Sequence, residues 1–384
     1  MSWPTKYSRV AVAQYQQRPL SEEPSMRVEF GRAIDDAQCV YLSYDGDAFD
    51  PPAGSLEDPR ILYGPFLKPV DLLIIRRDAI GLFPNAFTAG WLGSLLVDQE
   101  VECIAIERRG QVSSWLQVED SLRKWLPEKV EFVNEAWIRI RGGADLTNIV
   151  ASLPTAYPFL HRAYRGFSEM YDPRREKSGM AAAARVFLYG VWGAARNSLL
   201  LERIAARQAW GPAPKIVDIG GGYGFLALEM AMKGWSAAVV DYDRDKTELG
   251  SWLSGSAPRT LPIEFHTMSM EAVPEDGVPV MEPPDAISFF QCLHIADRGR
   301  TGDILKAAFV RLAPGGALVV LECLRRSEGS NDNQLAGDEL FELMTRNAVV
   351  PSLVSMRDGS MLSISDVEHD PDSIAFVAYK PRTA

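Results

Sequence analysis

Two residues in the C-terminal third have types and settings suited to proton transfer. His294 follows an apolar run in Ser288-Phe289-Phe290-Gln291-Cys292-Leu293-His294, and Glu322 ends the run Ala317-Leu318-Val319-Val320-Leu321. Imidazole, with an ordinary pKa of about 6.5, can take the proton of a hydroxyl that is a poor nucleophile until that proton leaves. A carboxylate bonded to its second ring nitrogen fixes the tautomer and stabilises the imidazolium, the orienting role found in catalytic triads. Both positions equally suit a structural histidine at a strand–helix junction and a glutamate serving as helix N-cap or ion-pair partner.

A second cluster has the chemistry of nucleoside binding. Ile216-Val217-Asp218-Ile219 predicts a buried strand, and Gly220-Gly221-Gly222-Tyr223-Gly224 lets the backbone turn tightly and come close to a ligand. Phe225 onward predicts a helix whose N-terminus faces that ligand. Roughly 20 positions after the turn, where a ribose-binding carboxylate is expected, the next strand ends in Val239-Val240-Asp241. The spelling Gly222-Tyr223-Gly224-Phe225-Leu226-Ala227 also fits a dinucleotide site. Asp218 favours another ligand: a carboxylate just before the turn opposes a pyrophosphate but suits the ammonium and sulfonium of S-adenosylmethionine. Further expected cofactor contacts are Tyr242 over the adenine ring, Ser269 and Met270 along its edge, and Gln291 at the end of the fourth strand.

These residues need a scaffold that brings strand ends together. From Pro214 on, strands are expected near Lys215–Ile219, Ala237–Asp241, Ile263–His266, Ala286–Phe290 and Ala317–Leu321. Helices alternate with them near Phe225–Lys233, Lys246–Leu253 and Gly302–Leu312, with another near Ala336–Arg346. That alternation predicts an α/β doubly wound fold, whose reactive centre lies beyond the carboxyl ends of a mostly parallel sheet. Ser352–Arg357, an Asp358-Gly359 turn, Met361–Ile364 and Ser373–Lys380 predict antiparallel strands at one edge.

The preceding chain divides in two. Residues 1–143 read as a separate N-terminal α/β domain, a lid or a dimerisation unit. Its strands are expected at Cys39–Leu42, Val70–Ile75, Val101–Ile106 and Val130–Ile140, its helices at Phe87–Val97 and Trp115–Trp125. Within it, Thr88–Ser94 faintly resembles a nucleotide-binding turn but reads best as glycines that let a helix pack on a strand. Residues 144–209 read as a helical connector rich in aromatics, a candidate wall for a substrate pocket, with a long helix Met180–Gln208 broken near Gly190 or Gly193.

The chain has 384 residues, too many for one ordinary domain, and a net charge of −11. An acidic chain argues against binding nucleic acid through phosphates and for a small-molecule substrate. No apolar run approaches the roughly 18 residues of a membrane span, and the N-terminus lacks the apolar core of a signal peptide. Four scattered cysteines without a C-x-x-C pair suit a reducing cytoplasm and suggest neither disulfides nor zinc. With only four histidines, no metal centre is expected.

From Pro214 to Glu322 the sequence resembles the plant- and bacterial-type small-molecule O-methyltransferases, S-adenosylmethionine-dependent class I methyltransferases. The resemblance rests on the triple-glycine turn after Val217-Asp218-Ile219, on Leu293-His294 with Asp297, and on Leu312-Ala313-Pro314-Gly315-Gly316-Ala317 leading to Glu322. It implies a seven-stranded, Rossmann-like methyltransferase domain over residues 210–384, S-adenosylmethionine as cofactor, His294 as general base and Glu322 as its partner. Ile295 stands where that family usually has Asp, Ala296 where Trp is common, and Ser269 where an adenine-binding Asp is usual. The implied reaction is methyl transfer to a hydroxyl of a small metabolite in a possible homodimer. Transfer to N, S or C, or a non-catalytic cofactor-binding partner, stays open.

Overall fold

The computed structural model describes residues 7–14, 38–43, 71–75, 102–107, 130–133 and 137–141, a few other positions up to 171, and then 179–280, 282–322, 335–356, 360–363 and 374–382. The chain forms two compact units, Met1–Trp192 and Gly193–Ala384. That division falls inside the stretch 144–209 expected as a connector.

Among its described residues the first unit holds six strands: β1 (Arg9–Gln14), β2 (Gln38–Ser43), β3 (Leu72–Ile75), β4 (Cys103–Glu107), β5 (Val130–Phe132) and β6 (Trp137–Arg141). Their order is β2-β1-β3-β4-β6-β5. The first four are parallel, and β6 runs antiparallel to β4 and β5. β3 and β4 are buried throughout, as the continuous apolar runs of an interior parallel strand must be. The single strand expected over Val130–Ile140 is two strands paired with each other. Glu131 stands opposite Arg139, which donates to Glu131 Oε2 from Nε and Nη2 at 2.9 and 2.5 Å. The helices expected at 87–97 and 115–125 and the Thr88–Ser94 turn lie outside the described residues.

Helix α1 (Gly179–Arg207) runs unbroken through Gly190 and Gly193, where a break was expected. A glycine costs a helix only about 1 kcal/mol relative to Ala. Burial of Val191, Leu200, Leu201 and Ile204 offsets that, at about 1.5–3 kcal/mol for each large side chain.

The second unit is built on strands β7 (Lys215–Ile219), β8 (Ser236–Asp241), β9 (Ile263–Thr267), β10 (Ala286–Phe290), β11 (Ala317–Leu321), β12 (Ser352–Ser355), β13 (Met361–Leu362) and β14 (Ile374–Tyr379). Helices α2 (Phe225–Met232), α3 (Arg244–Gly255), the single turn α4 (Val273–Asp276), α5 (Thr301–Arg311) and α6 (Gly337–Arg346) alternate with the strands. The order is β13-β12-β14-β11-β10-β7-β8-β9, eight strands among the described residues where seven were expected. The extra strand is the two-residue β13, which pairs with Leu353 and Val354 and closes the predicted hairpin. β9 to β11 are parallel, whereas β14 lies antiparallel between β11 and β12.

Alternation along the strands separates two faces. Val217, Ile219, Val240, Ile287, Phe289, Leu318 and Val320 join one apolar core with Leu305, Leu340 and Met344. The other parity carries Asp218, Asp241 and Ser288. From β7 the chain winds outward through β8 and β9, then returns to the other side of β7 as β10. The gap between β7 and β10 at their carboxyl ends is therefore the topological switch point, where ligands bind in such sheets.

Candidate active site

The glycine turn stands at that switch point. Gly220 leaves β7 with φ +73°, a left-handed conformation that a side chain strains. Its amide donates to the Val240 carbonyl at 2.7 Å. A Cβ on Gly220 would stand 2.5 Å from Cys292 Cβ and 2.7 Å from Sγ, so the turn and the segment leading to His294 are pressed together. Gly221 covers the carboxylate of Asp218, where a Cβ would lie 2.7 Å from Oδ2. Gly222 and Gly224, also at positive φ, finish the turn and deliver the chain into α2.

Asp241 ends β8 beside this turn and is buried. Its Oδ2 accepts the Gly222 amide at 2.9 Å and its Oδ1 the Asp243 amide at 2.9 Å. Each carboxylate oxygen has capacity for a second hydrogen bond, as a ribose diol requires. Tyr242, the next residue, is 56% exposed and available to a ligand. Ser269 caps the 3₁₀ turn Met270–Ala272, its hydroxyl accepting the Glu271 amide at 3.2 Å. Met270 is buried, and its Cε lies 3.5 Å from the position of a Cβ on Gly220. Gln291 is exposed and sits at φ +55°, its amide donating to the Leu321 carbonyl at 2.6 Å. Left-handed residues other than glycine are uncommon and cluster at functional sites.

Asp218 lies in β7 directly across from Ser288 in β10. The Ser288 hydroxyl donates to Asp218 Oδ1 at 2.7 Å, and both side chains are buried. Burial pushes the Asp218 carboxyl up to about 7; the Ser288 bond lowers it, and the nearby Asp241 charge raises it again.

His294 and Glu322, separated by 27 residues of sequence, meet at the ends of β10 and β11. His294 occupies a 3₁₀ turn, Leu293–Ile295, and Glu322 directly follows β11. Imidazole Nδ1 lies 2.6 Å from Glu322 Oε1, and Glu322 Oε2 accepts the Leu293 amide at 2.6 Å. Glu322 is thus buried with both oxygens engaged, while the imidazole is partly exposed. The Glu322 bond raises the His294 pKa above its ordinary value, burial lowers it, and the carboxylate charge adds to the rise.

Every residue expected from sequence at the turn or the dyad thus lies at one end of the sheet. Three contributors were not expected. Ser288 gave no signal because its bond depends on the β7–β10 register. Cys292, whose thiol donates to the Ile219 carbonyl at 3.1 Å, reads in sequence as a small core residue. Lys246, whose Nζ stands 5.9 Å from the Tyr223 ring centroid and whose Cδ approaches Gly222, reads as a solvated helix residue.

The donor set fits a cationic sulfur nucleoside. Open space stands over Gly222, whose Cβ would come no closer than 4.0 Å to Asp241 Oδ2, next to a carboxylate suited to a diol. Among the described residues, Asp218 meets the Ser288 hydroxyl and feels the charge of a second carboxylate, Asp241.

Residues 190–355 match the family model described as a methyltransferase domain. No match was found among curated proteins. Among solved structures, the N-methyltransferase NodS from Bradyrhizobium japonicum is 17% identical, with 49% of this chain and 95% of that one covered and a TM-score of 0.36. Magnesium protoporphyrin IX methyltransferase from Synechocystis, with bound cofactor, is 11% identical over 50% of this chain and 83% of that one, at a TM-score of 0.36. An amino pentose methyltransferase from Micromonospora echinaspora is 15% identical over 48% and 89%, at 0.34. Likeness this low has no bearing on substrate. The second unit carries a Rossmann-like methyltransferase domain, and the enzyme is an S-adenosylmethionine-dependent methyltransferase.

Proposed function

We propose that the protein moves a methyl group onto a hydroxyl of a small metabolite, with His294 as general base oriented by Glu322. When bound, S-adenosylmethionine supplies an electrophilic methyl on a positively charged sulfur. Asp241 and the glycine turn hold its sugar, Tyr242, Ser269, Met270 and Gln291 surround its base and reactive end, and Asp218 faces its charged end.

The observation that carries the proposal is the 2.6 Å contact between His294 Nδ1 and Glu322 Oε1. With Nδ1–H donating to the carboxylate, Nε2 keeps a free lone pair. The acceptor O–H breaks, its proton passes to Nε2, and the oxygen keeps the electron pair for attack. The imidazolium formed is stabilised by Glu322, which the Leu293 amide holds in place. Positioning of the acceptor contributes alongside the base. A hydroxyl needs this proton removed before attack, whereas a thioether or a neutral amine already carries a free lone pair, so the dyad favours oxygen as acceptor. The net charge of −11 favours a small metabolite over a nucleic acid. Among the described residues no helix is long and apolar enough to cross a membrane.

The test is His294→Ala and His294→Gln on the identified acceptor. Turnover should fall by about two to four orders of magnitude with S-adenosylhomocysteine affinity unchanged. Near-normal turnover would reject the general base and point to an N, S or C acceptor.

A further inference from the structure

Ser288 and Asp218 form a buried hydroxyl–carboxylate pair on the sheet face opposite the main core. The strands to either side of β7 supply the groups that face Asp218. β8 brings the Asp241 carboxylate and β10 the Ser288 hydroxyl, and the Cys292 thiol beyond β10 also feels the Asp218 charge. Burial holds Cys292 in its neutral thiol form, so Ser288 is the group here that favours a negative charge on Asp218. Its hydroxyl is fully buried and 2.7 Å from Oδ1, while Gly221 closes over Oδ2. One oxygen is thus gripped from the neighbouring strand and the other is covered by the cofactor turn.

We infer that Ser288 is a positioning residue for S-adenosylmethionine, its hydroxyl gripping the Asp218 carboxylate and turning it beneath the glycine loop. The inference rests on the reading of Asp218 as the carboxylate that faces the cofactor's cationic end. Two consequences follow from the chemistry. Cofactor affinity should strengthen as the pH rises through about 7, where Asp218 loses its proton. Loss of the Ser288 bond should move that rise to higher pH by about one pH unit, since a hydrogen bond to a charged group lowers a carboxyl by about that much.

Titration calorimetry of the purified protein with S-adenosylmethionine and with S-adenosylhomocysteine, from pH 6.0 to 8.5, tests this. Wild type is compared with Ser288→Ala, with the near-isosteric weak donor Ser288→Cys, with Asp218→Asn, and with the Asp218→Asn/Ser288→Ala double variant. Variant-to-wild-type ratios at each pH cancel the ligand's own titration. Ser288→Ala and Ser288→Cys should bind about fivefold more weakly at pH 7, with the deficit shrinking toward pH 8.5. In the Asp218→Asn background, Ser288→Ala should add nothing, because its effect passes through the carboxylate. A deficit independent of pH, or one that persists in the Asp218→Asn background, would overturn the role of Ser288. So would wild-type affinity in a folded Ser288→Cys. Unchanged affinity in Asp218→Asn would instead show that Asp218 does not face the cofactor and would remove the premise.

Discussion

The side chain of Cys292 occupies the space that a Cβ on residue 220 would need. Its thiol donates to the Ile219 carbonyl at 3.1 Å, and the Cβ of any residue 220 other than glycine would fall 2.5 Å from its own. The glycine turn and the segment that ends in His294 are therefore one packed unit. Gly220→Ala should destabilise the protein by about 2–4 kcal/mol, combining left-handed strain with a clash against backbone-proximal atoms. Urea unfolding measures this. Cys292→Gly should recover part of the loss in the double variant if the clash contributes.

Glu322→Gln separates positioning from charge. The variant can still accept a hydrogen bond from His294 but no longer stabilises an imidazolium. Turnover should fall by about ten- to a thousandfold at neutral pH while the KM for S-adenosylmethionine stays within about twofold. Steady-state kinetics on the identified acceptor decides it. An unchanged kcat would mean that Glu322 only anchors the Leu293 amide.

The raised pKa of His294 sets the pH response. In the proposed role the base acts in its neutral form, so kcat/KM should rise with pH and level off above the folded-state pKa, which lies higher than about 6.5. For stability the sign is opposite. A group whose pKa rises on folding stabilises the native state fully below its unfolded pKa, and that contribution fades as pH climbs through the folded value. Wild type should therefore exceed His294→Gln in thermal stability by more at pH 5.5 than at pH 9.

Asp218 responds with the same sign for a different reason. Its carboxyl, ordinarily titrating near 3.8, is pushed up to about 7 by burial. The native state then holds a proton that the unfolded chain has released, so stability falls as the pH rises from about 4 through 7. Without cofactor, Asp218→Asn should melt higher than wild type at pH 8 and show no such advantage at pH 4. Scanning calorimetry at the two pH values checks it.

Asp241→Asn removes a charge that accepts two backbone amides and, in the proposed complex, a ribose diol. Hydrogen bonds to a charged group are worth about 1.5–3 kcal/mol each, so the Kd for S-adenosylhomocysteine should rise by about ten- to a hundredfold. Binding within twofold of wild type would place the sugar elsewhere.

The second unit was largely legible because its signals are local. A glycine cluster after a buried strand, a carboxylate one strand on, and strand–helix alternation each depend on residues near one another in sequence. Ser288 could not be read because its partner is set by the β7–β10 register, a non-local choice. The left-handed backbone of Gln291 escaped notice because no glycine or asparagine marks it. β1 was missed because Arg9–Gln14 alternates valine with alanine, which is too weakly apolar to stand out. The break expected in α1 did not occur, since two glycines weigh little against several buried turns of helix. The seven-strand count failed on β13, whose two residues carry no periodicity.

β14 lies between β11 and the β12–β13 hairpin, although it is the last strand along the chain. A ribosome must release residues through Tyr379 before the flank of β11 is sealed, and β11 is the strand that presents Glu322. Until then β11 keeps one flank unpaired, and its core residues Leu318 and Val320 stand at an open sheet edge.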